Sequence, residues 1–200
     1  MAKQSGNAAV RAAPADPAPG PRQRILATAH DLFYRDGIRA TGIDRVIAAA
    51  GVTKVTFYRQ FPSKNDLILA FLEYRHARWM SWFTDALARH GAARGKGLAA
   101  LAPALREWFS GAGFRGCAFI NSVAELGGAL PEVVEIARRH KQEMTAAIAA
   151  LLPPSRQRAQ TAQAIALAVD GAIVRAQGEA SPAAALRALE RVVGALRAAG

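Results

Sequence analysis

Cysteine is almost missing. Cys117 is the only one in 200 residues, so no disulfide can close within the chain, and the reducing cytoplasm is its expected home. Metal-binding spacings are missing as well. His30, His76, His90 and His140 are scattered and none pairs with a cysteine, so neither a metal nor a cofactor is expected. No apolar run approaches the roughly 20 residues needed to span a bilayer. None follows Met1 as a secretory leader would require. Acids are scarce: 15 Asp and Glu stand against 26 Lys and Arg, a net charge of +11. That surplus suits a polyanionic partner and says nothing about fold. Long β-branched runs are absent while alanine is abundant, which favours an all-helical chain.

What is present is punctuation. Residues 1–20 are rich in Ala, Pro and Gly without periodicity and read as a disordered tail. Its Lys3 and Arg11 either brush a nucleic acid or are inert. Pro21 suits the first turn of a helix. Ile25, Ala29, Leu32 and Phe33 share one face of it, and Gly37 stops it. In "TGIDRVIAAAG", Thr41 and Asp44 have capping-box spacing ahead of a short apolar helix that Gly51 ends. Thr53 caps a third helix that Pro62 stops. Ser63 caps a fourth, with Asp66 three residues on, running to about His90. Further helices are expected near 97–111, 117–128, 131–151, 155–178 and 182–198.

A helix, a tight glycine turn and a short second helix make a helix-turn-helix, whose second helix enters the major groove of DNA. Val52, Phe57 and Phe61 can face the other helices. Lys54, Val55, Thr56, Tyr58 and Gln60 are left outward. Lysine can donate to guanine O6 and N7, and valine or threonine methyls can meet the thymine methyl. Tyr58 can reach a phosphate through its hydroxyl. Lys64, on the first turn of the fourth helix, can hold a phosphate together with that helix's N–H groups. From Arg45 to Lys64 there are four basic residues and no acid. The alternative is an ordinary solvated basic face. Thr41 and Thr53, at the two expected caps, complete the DNA-facing set.

The stretch "TGIDRVIAAAGVTKVTFYRQFPSKNDLI", with "RQRILATAHDLFYRDG" before it, closely resembles the DNA-binding segment of the TetR family of bacterial transcriptional regulators. The match runs from residue 22 to about 72. It rests on the "AGVT" turn, the "TFY" of the recognition helix and "FPSK" ahead of the fourth helix. The resemblance implies a dimer, each chain carrying a three-helix DNA-binding head on a larger helical ligand-binding body. It places base or groove contacts on Lys54, Val55, Thr56 and Tyr58, and backbone contacts on Gln60 and Lys64. Val55 departs from the family, where glycine is frequent, and either limits the approach to DNA or reads a base. "RGCAFINSVAELG" and "AVDGAIVRAQ" resemble body segments of one large group of these regulators and identify no ligand.

Expected boundaries are therefore a tail at 1–20, a head at 21–66 and a ligand-binding and dimerisation body at 67–200. Arg78, Trp79, Trp82 and Phe83 on the fourth helix should face that body. Trp79, Trp82, Trp108 and Phe119 offer apolar walls, and Asn121, Glu125 and His140 polar tips, for a small hydrophobic or aromatic ligand. The alternative is a filled core. Asn121 and Glu125, four apart on an otherwise buried helix, need partners in either case. Cys117 is a buried structural thiol or a redox sensor tuned by Arg115. Ala162, Ile165, Ala166, Val169 and Ile173, with Leu186, Leu189, Val193 and Leu196, make two stripes for a four-helix homodimer interface. Asp170 should pair with a donor at that interface.

A helical enzyme and a membrane-surface protein are the competing classes. No nucleophile–base pair, metal set or phosphate-binding glycine loop is visible, which argues against the enzyme. The basic residues follow helix-turn-helix punctuation rather than one long amphipathic helix, which argues against the membrane. The expected function is a DNA-binding repressor, released from a palindromic operator by its ligand.

Overall fold

A computed structural model of the chain describes residues 19–92 and 97–198. The expected tail lies outside them except for Pro19 and Gly20. Within the described residues the chain is all helical, and no helix is long and apolar enough to cross a membrane.

The first helix, α1 (Pro21–Asp36), buries Ile25, Ala29, Leu32 and Phe33, the i, i+4, i+7, i+8 face read from the sequence. Gly37 ends it at φ 87°, a conformation that costs a residue with a Cβ. The second helix, α2 (Ile43–Ala50), closes on Gly51 at φ 62°, in the left-handed region. Two residues later Thr53 caps α3 (Lys54–Gln60) by accepting from Thr56 N at 3.1 Å. Pro62 then forbids a further turn. Phe57 and Phe61, both fully buried, join Val46 and the α1 face in one small core.

Thr41 is not a cap. Gly42 holds the N-cap position of α2, and the Thr41 hydroxyl turns back to donate to Gly37 O at 2.8 Å. The loop between α1 and α2 is folded onto itself, which leaves Thr41 fully buried.

The fourth helix, α4 (Lys64–Arg89), is 26 residues long and so spans about 39 Å. Ser63 caps it through Asp66 N at 3.1 Å. Its first half buries Leu67, Ile68, Phe71 and Leu72, with Phe71 edge-on to Phe33 of α1 at 5.4 Å. Its second half buries Trp79, Phe83, Ala86 and Leu87 in the body. Arg78 faces solvent instead and bonds Tyr74 Oη. After a 3-10 turn at Gly97–Ala100 come α5 (Leu101–Phe109), α6 (Ala118–Leu126), α7 (Pro131–Ala149), α8 (Arg158–Gly178) and α9 (Ala183–Ala198). Helices α6, α7, α8 and α9 pack each on the next, and α4 crosses α7.

Most of the two stripes expected at a dimer interface lies inside the chain, with Val193 and Leu196 only half-buried. Ala162, Ile165, Ala166, Val169 and Ile173 are buried, as are Leu186 and Leu189, because α8 and α9 use those faces against each other and against α5 and α7. Asp170 likewise finds its donor within the chain, Lys141 Nζ at 2.5 Å.

Candidate nucleic-acid interface and ligand site

Burying Phe57 inside the head turns the opposite side of α3 outward. Val55 is 70% exposed although it is apolar. Thr53, Lys54, Tyr58 and Arg59 are exposed beside it, and Thr56 and Gln60 are half-buried. Thr56 Oγ1 lies 2.9 Å from Thr53 Oγ1, so one hydroxyl pair closes the first turn. Tyr58 sets its ring edge-on to Phe57 at 5.3 Å, leaving the phenol directed by a fixed partner. Lys54 meets Asp44 at 3.7 Å, with both side chains mostly in water. An ion pair so exposed is worth about 0–1 kcal/mol and breaks readily for a stronger anion.

Two residues expected on DNA are committed elsewhere. Thr41 is buried, as described. Lys64 donates through Nζ to Ile38 O at 2.8 Å. Burial lowers the Lys64 pKa from its ordinary value, against the nearby carboxylate of Glu125. One N–H of its ammonium thus fastens the turn after α1, so that this lysine has an architectural role besides any contact to phosphate.

Glu125 belongs to the same junction. Its carboxylate accepts from Arg39 N at 2.8 Å and, more weakly, from Ile38 N at 3.4 Å. Gly37, at φ 87°, packs against this carboxylate: a Cβ there would sit in ordinary contact, 3.4 Å from Glu125 Oε1. Tyr34 Oη adds a second tie, donating to Gly116 O at 2.9 Å and accepting from Arg115 N at 3.0 Å. Asn121 Nδ2 donates to Arg115 O at 3.0 Å and shapes that loop. Asn121 and Glu125 thus line a 270 Å3 cleft between head and body with Tyr34 and Ser122, away from the aromatic walls they were expected to join.

Those walls do come together. Trp79 lies 5.4 Å from Trp108 and 4.9 Å from His140, centroid to centroid. Trp82 is 6.0 Å from Trp108. His140 stacks on Phe119 at 3.7 Å with the rings 17° apart. The cluster is closed, with no open chamber among these rings. Trp82 Nε1 is satisfied by Glu107 at 3.2 Å. Trp79 Nε1 is buried and has no partner. Cys117 is buried, and the cation beside its Sγ is Lys141 Nζ at 3.5 Å rather than Arg115. Ser122 lies in the cleft and His140 in the ring cluster.

Residues 25–71 match the family model described as "Bacterial regulatory proteins, tetR family". A stretch of 53 residues is 38% identical to the HTH-type transcriptional regulator YerO of Bacillus subtilis, covering 26% of this chain and 18% of YerO. A stretch of 55 residues is 40% identical to the HTH-type transcriptional activator FasR of Mycolicibacterium smegmatis, covering 28% of this chain and 25% of FasR. The chain therefore spans a quarter or less of these curated relatives. The crystal structure of SCO4454, a TetR-family transcriptional regulator from Streptomyces coelicolor, extends the likeness to the body. It superposes with a TM-score of 0.77 at 33% identity over 88% of both chains. The chain belongs to the TetR family. It is a DNA-binding transcriptional regulator, not an enzyme.

TetR-family membership accounts for the outward face of α3, while the ties at Glu125 and Tyr34 join the turn after α1 to the body. The pair of i, i+4 polar residues on α6 was the one signal in the sequence that pointed to that junction. Tyr34 gave none, because its partners are backbone atoms of a loop 81 and 82 residues away.

His140 gives the body a pH signature. Burial, then the charges of Lys141, His76 and Arg75, push its pKa down from 6.5 to about 2. The folded protein therefore holds His140 neutral, while the unfolded chain takes up a proton below about pH 6.5. Stability from this residue is complete above pH 6.5 and falls as pH drops towards 2, by about 1.4 kcal/mol per pH unit. Urea melts of His140→Phe between pH 7 and pH 5 should show this part of the acid slope removed. A slope equal to that of the unaltered protein overturns the assignment.

Proposed function

We propose that the chain is a dimeric repressor on a palindromic operator, with a head at 21–66, a body at 67–200 and release by a small hydrophobic or aromatic ligand bound in the body. The observation that carries this reading is the tie from α6 to the head, Arg39 N to Glu125 at 2.8 Å. A ligand that moves α6 must move the turn after α1 or break that bond. The spacing of two recognition helices then changes, and operator affinity with it. Linkage requires DNA to weaken the ligand by the same factor. On the DNA side, Lys54, Val55, Thr56 and Tyr58 meet the major groove, and Thr53 and Gln60 its rim. Repression is the family's usual sign of control. The head cannot set that sign, since FasR, an activator, shares it. Duplexes selected from a random pool give the operator. Transcription from a promoter overlapping that operator is expected to fall when the protein is added, and a rise would reverse the sign.

The two lysines separate base reading from architecture. Lys54→Ala should relax base preference within each half-site, at about 1–3 kcal/mol per lost base contact. Lys64→Ala should leave the salt dependence of operator binding unchanged and lower the melting temperature, because its ammonium serves Ile38 O. Salt titrations of both variants on the selected palindrome and on a scrambled duplex decide this. A salt slope shallower by about two units in Lys64→Ala would return that lysine to the phosphates.

A further inference from the structure

The closed ring cluster holds a buried donor without a partner, and no carboxylate lines it. Arg75, Trp79, Trp108, Phe119, His140 and Met144 surround a gap of about 220 Å3, all of it in slivers too narrow for a water molecule. Trp79 is buried and its indole N–H has no partner. Water cannot reach that N–H, so the unliganded protein carries the full desolvation cost of the group.

Arg75 stands four residues before Trp79 on α4, on the same helix face, and lines the same gap. Its guanidinium lies 4.1 Å above the Tyr34 ring, with Nη1 3.3 Å from His30 Nε2. Among the described residues no carboxylate pairs with it. The other charges in the wall cancel: Lys141 Nζ is 2.5 Å from Asp170 Oδ1. His140 is neutral at physiological pH. The site therefore carries one uncompensated positive charge, an orphan N–H and flat apolar walls. Removing a charge from water is favourable only with a partner, and a planar guanidinium matches a carboxylate with two parallel hydrogen bonds.

We propose that the ligand is a flat aromatic acid, its carboxylate held by Arg75 and the Trp79 N–H and its ring held among Trp108, Phe119 and His140. This rests on the reading of the body as a ligand domain and adds the charge of what it binds. Entry requires the rings to part, since the gap is closed. A cationic aromatic finds no carboxylate in that wall and meets the like charge of Arg75.

The test is a calorimetric titration of the full-length protein with benzoate and 2-naphthoate, and with the alcohol and methylammonium counterpart of each. At least one acid is expected to bind about tenfold or more tighter than its alcohol, with no heat from either cation. Arg75→Gln should bring the acid down to the level of the alcohol while the alcohol is unchanged. Trp79→Phe keeps a ring in the wall and should cost the acid about threefold or more. If Arg75→Gln does not fold, the charge series on the unaltered protein decides alone. An alcohol or cation that binds as well as its acid overturns the charge assignment and leaves the ligand domain standing. Silence from all six compounds overturns both.

Discussion

A chain carrying Leu167→Glu and Val174→Glu is expected to be a folded monomer that holds a palindromic site about a hundredfold or more weaker than the unaltered dimer. Leu167 is 75% exposed and Val174 52% exposed. They stand seven residues apart on α8, so they share one stripe. Gly171 lies between them, and a Cβ there would meet nothing within 4 Å, which leaves room for a second helix to come close. On α9, Val192 is 42% exposed, with Ala188 and Ala195 also open to solvent. Three large apolar side chains turned outward on the two last helices of an otherwise well-filled body mark an unpartnered face. Placing two glutamates there puts four unpaired carboxylates into a symmetric contact, since every residue of a two-fold interface occurs twice. A monomer then binds each half-site separately and forfeits the effective concentration that links them, worth about 10²–10⁴ in affinity. The buried stripes give a contrasting control. Ala166→Glu or Leu189→Glu forces a charge into the core between α8 and α9 and should unfold the body rather than dissociate it. Sedimentation, circular dichroism and operator titration separate these outcomes. A double variant that stays dimeric at micromolar concentration with unaltered operator affinity removes this face from the interface.

The same two helices show what a sequence does and does not make legible. Helix α3 was readable to within a residue, because Thr53, Phe57 and Pro62 act through local rules of capping, periodicity and ring closure. The family resemblance of the head was carried by that local grammar too. On α8 and α9 almost every face carries Ala, Leu or Val, so periodicity finds a stripe without saying which stripe faces inward. The partners of Thr41, Lys64, Asn121 and Glu125 were hidden for a different reason. They are backbone atoms: Gly37 O for Thr41, Ile38 O for Lys64, Arg115 O for Asn121 and Arg39 N for Glu125. A peptide group has no residue type, and nothing in composition or spacing advertises it. The ring cluster was found because aromatics are few and large. That it closes over an unpartnered indole depends on packing to a fraction of an ångström, which no pattern encodes.

Glu125→Gln is expected to uncouple body from head while leaving both folded. The carboxylate accepts from two backbone N–H groups, Ile38 N at 3.4 Å and Arg39 N at 2.8 Å, and an ionised carboxylate is acceptor-only on both oxygens. Glutamine has the same shape but one acceptor. Whichever way its amide turns, an NH2 group faces a backbone N–H that also donates. Hydrogen bonds to a charged acceptor are worth about 1.5–3 kcal/mol, so losing this one should weaken the hold on the turn by about ten- to a hundredfold. Lys64 remains on Ile38 O and Tyr34 on Gly116 O, which keeps the head attached though no longer registered to α6. Three measurements should move together. The Ile38 and Arg39 amides should exchange with solvent faster, while amides buried within α1 keep their protection. Operator affinity should fall by about tenfold, as the two recognition helices of a dimer lose their fixed spacing. The factor by which an effector changes that affinity, about 5–150 for coupling of ordinary size, should shrink towards one. If the two amides stay protected and the effector response is intact, Glu125 is only a local acceptor, and Tyr34 with the Arg115–Gly116 loop must carry the signal.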